Sequence, residues 1–400
     1  RNQTACQPGK PYHDYGCQYF TANDPGFVAE VERWEAIGLC QPLPKNSVGT
    51  IDIAQGFLPF TGQRCWVGNG GMAPMMFGLV RQTVEEFQDV LEHVAGFPDE
   101  SQRVQTLTRS QVEWTLMTKG GCSLGPFDIV VGAFSQHCLT DPFLKSGGMA
   151  CADVLACLRS VESNQIVAMQ VIFEGEPADA GFTLAHVVGD EDLSCASNNS
   201  CKPQQSGDLG TPGSQHWTLL STAKFAETEF NCNPHGYRRV AEMRMLAAFA
   251  RVLGVRDLAS HKPRIQRINH WEDGLPINTP PTSRGCLFDA SNRLGWCGDF
   301  CVAPCVQGAW LSGTAMASEI AAYWADPAGF DEIGLLPSCD KPWPPIQAVP
   351  GACQVDIGAF SALQGLLPPA CTHTDLVPSA IGGYDKDVAH TGASGKAGRK

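Results

Sequence analysis

Residues 293–320 read RLGWCGDFCVAPCVQGAWLSGTAMASEI. An acid, Asp299, follows a short apolar run, and a helix-like segment rich in small residues opens a few positions later. A helix start presents N–H groups with no intrahelical partner, at the positive end of the helix dipole. Small residues such as Gly308, Ala309, Ser312 and Gly313 let a ligand come close to the backbone. Amides so placed suit a phosphate or a ring carbonyl. A carboxylate just past a strand can accept hydrogen bonds from sugar hydroxyls, which is the chemistry Asp299 offers. The same spacing also fits a small-residue helix packed on a sheet, with Asp299 as a turn or cap residue.

GNGGM (68–72) follows a strand-like RCWVG and opens a helix. Gly68, Gly70 and Ala73 satisfy the G-x-G-x-x-G/A spacing of a dinucleotide loop. No strand ending in an acid follows about 20 residues on, so a phosphate loop and a tight loop-to-helix turn both stay open. The chain has no H-E-x-x-H and no G-x-S-x-G. Cys297, Cys301 and Cys305 are spaced C-x3-C-x3-C, which invites a metal or cluster reading. A fourth ligand is lacking, and the segment is better explained as a nucleotide loop, so no metal is expected. Tyr19, Trp217, His270 and Trp271 are candidates to line a substrate pocket, against the alternative of core aromatics and a satisfied histidine. No side chain stands out as a catalytic acid or base.

The elements that must position these groups alternate between strand and helix, which indicates an α/β architecture. Helical spacing marks 27–39, a segment from GNGGM to about residue 94, 149–160 and 237–254. Strands are expected at 103–108, 112–118, 166–174, 216–222 and 264–273. FDIVVGAF (127–134) reads as a buried parallel strand. KGGCSLGP (119–126) reads as a turn-rich link, and 195–215 as a polar surface loop. Residues 326–400 read as a mostly disordered tail in which 358–367 could form one helix.

The chain's 400 residues suffice for two domains at roughly 100–200 residues each. A net charge of -13 argues against nucleic acid and against an anionic membrane surface as partners. No apolar run is long enough to span a bilayer. The 18 Cys stand mostly where a small apolar residue would serve, which favours free thiols over a disulfide framework. Charge and Cys usage point to an intracellular site, cytoplasmic or organellar. Asn2-Gln3-Thr4 and Asn198-Asn199-Ser200 match the glycosylation sequon.

Separated segments together resemble one family, the renalase-like, FAD-dependent oxidoreductases of amine-oxidase type. Residues 293–320 are similar to its motif L-x-x-C/A-G-D-W/F, a short loop, then V-E-G-A-x-x-S-G, through Leu294, Gly298, Asp299, Phe300, Val306, Gly308, Ala309, Ser312 and Gly313. HDYGCQYFTANDPGF (13–27) resembles F-D-H-G-A-Q-Y-F-T-A-R-D-P-x-F, with Asp14, Gly16, Gln18 and Tyr19 in place. WVGNGGM (66–72) and VEWTLMT through FDIVVGAF (112–134) are similar to two further family segments. Tyr15, Cys17 and Gln307 depart from the family's His, Ala and acid, and His270-Trp271-Glu272 stands where it often has H-R-W or W-R-Y.

The resemblance implies bound FAD and hydride transfer between flavin and a small organic substrate, with NAD(P)H or oxygen as further partners. It implies a Rossmann-like FAD domain (1–20, 66–140, 286–325) interrupted by a mixed-sheet substrate domain (21–65, 141–285). It places Gly298 and Asp299 by the ribityl or pyrophosphate, and the Gly308–Trp310 amides (Gly308, Ala309, Trp310) by the flavin or its phosphate. It places the Val104 backbone by the adenine, and Gly16 and Gln18 close to the isoalloxazine. The family's opening glycine fingerprint does not precede these segments, so the chain is expected to be a fragment, or an incomplete gene model, that binds FAD weakly or not at all. A degenerate relative acting as a binding module is the alternative.

Overall fold

The structure, a computed structural model, describes residues 14, 16–86, 104–110, 113–133, 152–203, 213–280, 284–328 and 330. The tail expected over 326–400, with its possible helix at 358–367, lies almost wholly outside them.

The fold is mixed α/β, and its largest element is a seven-stranded sheet in the order β13-β9-β12-β11-β10-β2-β3. Its strands are β2 (Val48–Asp52), β3 (Gly56–Pro59), β9 (Ser163–Phe173), β10 (Leu184–Val188), β11 (Leu193–Asn198), β12 (Gln215–Ser221) and β13 (Arg264–Pro276). All neighbours run antiparallel except β10 and β2. Two helices, α4 (Ala223–Cys232) and α5 (Tyr237–Leu253), cover one face. Strand alternation sends Val167, Met169, Val171 and Phe173 of β9 to that face, with Trp217 and Leu219 of β12. They meet Ala241, Met245, Ala248 and Phe249 of α5, which recur at helical spacing. Gly254, with φ 67, ends α5 in the left-handed conformation that glycine adopts without penalty. On the outer side, Arg244 bridges Asp192 and Glu229, and Arg251 bridges Asp190, tying α5 to the β10–β11 turn and to α4.

The other face of this sheet meets residues 14–22 and α1 (Pro25–Ala36). Asp24 caps α1 by accepting a hydrogen bond from the Phe27 amide at 3.0 Å. Phe20 stands within 6.3 Å of the rings of Phe27, Trp34 and Trp66, stacked on Trp66 and edge-to-face with Trp34, and Phe27 meets Trp34 edge-to-face at 5.6 Å. Trp66 lies on β4 (Trp66–Gly68), which pairs with β1 (Cys40–Pro42) and leads into α2 (Met72–Glu86).

Two three-stranded sheets complete the described chain. In one, β15 (Leu294–Trp296) sits between antiparallel β14 (Leu287–Asp289) and parallel β8 (Val130–Gly132). In the other, β5 (Val104–Ser110), β6 (Glu113–Thr118) and β7 (Ser123–Phe127) form a meander. Leu107 and Trp114 join the two by packing on Val130, Leu294, Trp296 and Phe300. The helix α3 (Ala152–Arg159) adds Leu158 to that cluster, and α6 (Val306–Ala325) follows β15.

Three expectations change. The link at 119–126 ends in a strand, β7, after a turn at Gly121. The run 127–134 is not one strand: Phe127 ends β7, the chain bends at Asp128, whose side chain is 67% exposed, and Val130–Gly132 forms the short strand β8, with residue 134 outside the described residues. The start of the expected surface loop is the strand β11, buried at every residue and flanked by partners on both edges. Asn198 is buried there, accepting from the Ser200 amide and donating to Gln215. No helix among the described residues is long and apolar enough to cross a membrane.

Trp217 is fully buried, 4.8 Å from the Phe249 ring and 5.9 Å from that of Phe182. Trp217→Ala is expected to cost ~3–5 kcal/mol. Urea unfolding checks this, through a lowered midpoint at unchanged slope.

Candidate functional site

Two segments distant in sequence form the site. The first starts at Asp14, whose side chain is fully buried. One carboxylate oxygen accepts from the Met72 amide at 2.8 Å, at the start of α2, where negative charge is favoured by the helix dipole. The other accepts from Lys202 Nζ at 3.2 Å, and the Lys202 side chain is also fully buried. Lys202 donates again to Gln18 Oε1 at 3.1 Å. Gln18 Nε2 donates to the Asp14 and Gly16 carbonyls at 2.9 and 3.0 Å. Thr218 Oγ1 on β12 donates to the same Asp14 carbonyl. The chain from Asp14 to Gln18 is therefore clamped to the large sheet by charge-assisted hydrogen bonds.

Just beyond, Tyr19 reaches His186 of β10, with Oη and Nε2 2.9 Å apart. Burial lowers the His186 pKa to about 4, so the ring stays neutral at physiological pH.

The second segment runs from β15 into α6. Parallel β8 and β15 deliver Gly298 and Asp299 at the carboxyl end of β15, the edge where ligands bind in parallel sheets. A Cβ at Gly298 would stand 2.7 Å from the Phe300 ring. The Gly298 amide donates to Ser312 Oγ at 3.0 Å, and Ser312 donates to the Gly285 carbonyl at 2.7 Å, pinning the turn against α6. Asp299 accepts from the Phe300 amide at 2.9 Å. It is only partly open at its surface, and desolvation, opposed by main-chain hydrogen bonds, pushes its carboxyl up to about 6. Cys305 caps α6: its Sγ accepts from the Gly308 amide at 3.2 Å, and its carbonyl from Ala309 at 3.0 Å. A Cβ at Gly308 would lie 2.0 Å from the Ala303 carbonyl oxygen, so only glycine fits.

Gln307 links the two segments. Its Oε1 accepts from the Asn23 and Asp24 amides at 2.9 and 3.0 Å, and its Nε2 donates to Asn23 Oδ1 at 2.9 Å. One helical turn on, Trp310 packs on the Phe27 ring at 5.4 Å.

The expected residues divide accordingly. Gly16, Gln18 and Tyr19 stand together, as do Gly298, Asp299, Gly308, Ala309 and Trp310, and Gln307 joins the groups. Gln18 and the Gly308 and Ala309 amides are bonded within the chain, and Trp310 packs on α1, so these groups act first in holding the site's shape. Val104 begins β5 on the meander sheet. Trp271 pairs with Ile166, whose side chain belongs to the face that meets Tyr19. Trp217 and His270 lie on the helix-covered face: His270 stacks on Phe230 at 3.7 Å and contacts Gln165 Oε1 at 2.9 Å. The three cysteines have other work, with Cys305 as a cap and Cys297 and Cys301 in packed clusters. Among the described residues no group of three or more His, Cys, Asp or Glu could hold a metal.

Sequence reasoning missed Lys202 and His186. A polar residue inside the apolar run LAHVV was the available signal for His186; SNNSCKPQQSG gave none for Lys202.

No family model matches the chain. Among solved structures it is similar to an oxidoreductase from Methanosarcina mazei, at 13% identity and a TM-score of 0.42 over 64% of this chain and 56% of that one. It is similar to putrescine oxidase bound to putrescine, at 13% and 0.43 over 66% and 55%. It is also similar to 2,6-dihydroxypyridine-3-hydroxylase from Arthrobacter nicotinovorans, at 12% and 0.41 over 80% and 77%. The chain spans little more than half the length of the first two. These are loose likenesses of overall shape, and no activity passes from them to this chain.

Removing one partner of a buried pair strands the other's charge. Lys202→Met is expected to cost ~3–5 kcal/mol, and the double change Asp14→Asn with Lys202→Met clearly less. Urea unfolding of both variants checks the difference.

Proposed function

We propose that the chain is an FAD-dependent oxidoreductase of the renalase-like, amine-oxidase type, acting on a small organic substrate. The observation that carries this reading is Asp299 at the carboxyl end of a strand paired in parallel, directly before α6. An acid in that place, held by main-chain amides of its own turn, fits the hydroxyls of a ribityl or ribose group. The cysteine-capped start of α6 fits less well as a phosphate cradle, because its Gly308 and Ala309 amides already donate within the chain. Asp299, the Gly16–Tyr19 backbone and the Val104 backbone would hold the cofactor. When bound, FAD would supply a two-electron redox centre.

The chain's own residues supply position and a dry environment. The Asp14–Lys202 clamp fixes the backbone from Gly16 to Tyr19, and Gln307 keeps that backbone in register with the Asp299 turn. In this reading, residues 21–65 and 141–285 form the substrate domain, and its sheet face toward Tyr19 closes over the reacting atoms. NAD(P)H or oxygen would serve as the electron partner.

The visible absorption spectrum of the purified chain, before and after adding FAD and removing the excess, tests the reading. Retained flavin bands support it, and a folded chain that stays colourless even with a strand and G-x-G-x-x-G loop fused ahead of it favours a non-catalytic binding module. Ionised Asp299 accepts charge-assisted hydrogen bonds on both oxygens, whereas protonated Asp299 keeps only weaker acceptance and turns one oxygen into a donor. FAD affinity should therefore fall below pH 6, by up to about tenfold per pH unit, and Asp299→Asn should flatten that dependence. The same carboxyl acts oppositely on stability. Its pKa is raised on folding from 3.8 to about 6, so the folded chain loses stability as pH rises across that interval. Asp299→Asn should raise the melting temperature at pH 7.5, by at most ~3 kcal/mol in stability, and leave it nearly unchanged at pH 4.

A further inference from the structure

The face of the large sheet that meets residues 14–22 is unusually polar. Pairing sets His186 opposite Thr50 and Cys195, and Ser197 opposite Leu184 and Thr218. Leu184 and Cys195 belong to the core on this side, so their partners Ser197 and His186 point to it too. Asn199, in the turn after β11, donates to Thr218 Oγ1 at 2.9 Å, which brings it to the same spot. Three atoms there have no hydrogen-bond partner among the described residues: His186 Nδ1, Ser197 Oγ and Asn199 Oδ1. Thr21 Oγ1, on the covering segment, also has none. Their residues are at most 2% exposed. Each such group costs ~1–3 kcal/mol when left unsatisfied, and native proteins rarely leave several together.

His186 and Ser197 are diagonal neighbours across β10 and β11, roughly 7–8 Å apart at that register. The charge available is also informative. The Asp14 carboxylate beside the group is bonded to Lys202 and the Met72 amide. Ser197 and Thr21 can donate or accept, Asn199 Oδ1 accepts, and His186 Nδ1 does either by tautomer. A ligand matching this set carries both N–H and C=O groups and no net charge.

We propose that His186, Ser197, Asn199 and Thr21 form a binding site for an uncharged cyclic amide or ureide, and that this site does not select a cationic amine. The proposal deepens the flavin reading by naming the class of molecule on the substrate side, and its binding is measurable without flavin. The test is calorimetry on the full chain, with and without FAD, using uracil as the uncharged probe and butylammonium as the cationic one.

Uracil should bind, butylammonium should not, and Ser197→Ala or Thr21→Val should each weaken uracil by about fivefold. Both variants remove a hydroxyl with little change of shape, and far-UV circular dichroism confirms that they fold. Binding of butylammonium as tight as that of uracil overturns the proposal. So does the absence of uracil binding by the folded wild-type chain, which would assign the polar atoms to ordered water. Uracil binding by a chain that takes up no FAD even with a strand and G-x-G-x-x-G loop fused ahead of it sinks the flavin reading and leaves this site standing. FAD uptake without uracil binding does the reverse.

Discussion

One buried ion pair, Asp14 with Lys202, holds the site together. Neither side chain touches water, and each is fixed by further polar partners: a helix amide on Asp14, a glutamine oxygen on Lys202. Charges removed from water are tolerated only with such company. The pair joins three elements that share no strand ladder: the segment leading to Tyr19, the start of α2, and the turn after β11. What Asp14 grips with its carboxylate, Thr218 secures through its carbonyl. The position of Tyr19 over His186 follows from that clamp.

Around this centre the two faces of the large sheet do different work. The helix-covered face is apolar and aromatic, with Trp217, Phe249 and Phe173 in contact, and its role is stability. The opposite face alternates apolar residues with His186, Ser197, Thr218 and Asn269, all buried. Period-2 alternation makes such a division possible within one sheet, because neighbouring residues of a strand serve different cores. A sheet that needed only stability would carry apolar residues on both faces.

Much of the scaffold was legible in the sequence. The helix at 237–254 and the two strands between Val104 and Thr118 announce themselves by period and composition, while of the strand read over 127–134 only Val130–Gly132 pairs with β15. The strand β11 does not, because Ser194, Cys195, Ala196 and Ser197 are small and polar enough to resemble a loop; only its place between β10 and β12 makes it a strand. Asp299 and Gly298 could be picked out by type and order. The bonding of the Gly308 and Ala309 amides could not, since it depends on Cys305 turning its thiol back onto the helix. Nor could spacing tell which aromatics share a face. Trp217 and Tyr19 both looked like pocket residues, and a sheet separates them. Lys202 was hidden because its partner stands 188 residues away.

That distance bears on how the protein is made. Gln307 meets the Asn23 amide across 284 residues of chain. The N-terminal part of the site therefore cannot close until α6 has left the ribosome. At ~5–20 residues per second, synthesis of the intervening stretch takes roughly 15–60 seconds. Over that time the Phe20, Phe27 and Trp34 aromatic cluster must wait without the helix that covers it. A nascent chain of this design keeps Phe27 without its Trp310 partner until α6, the last helix among the described residues, has emerged.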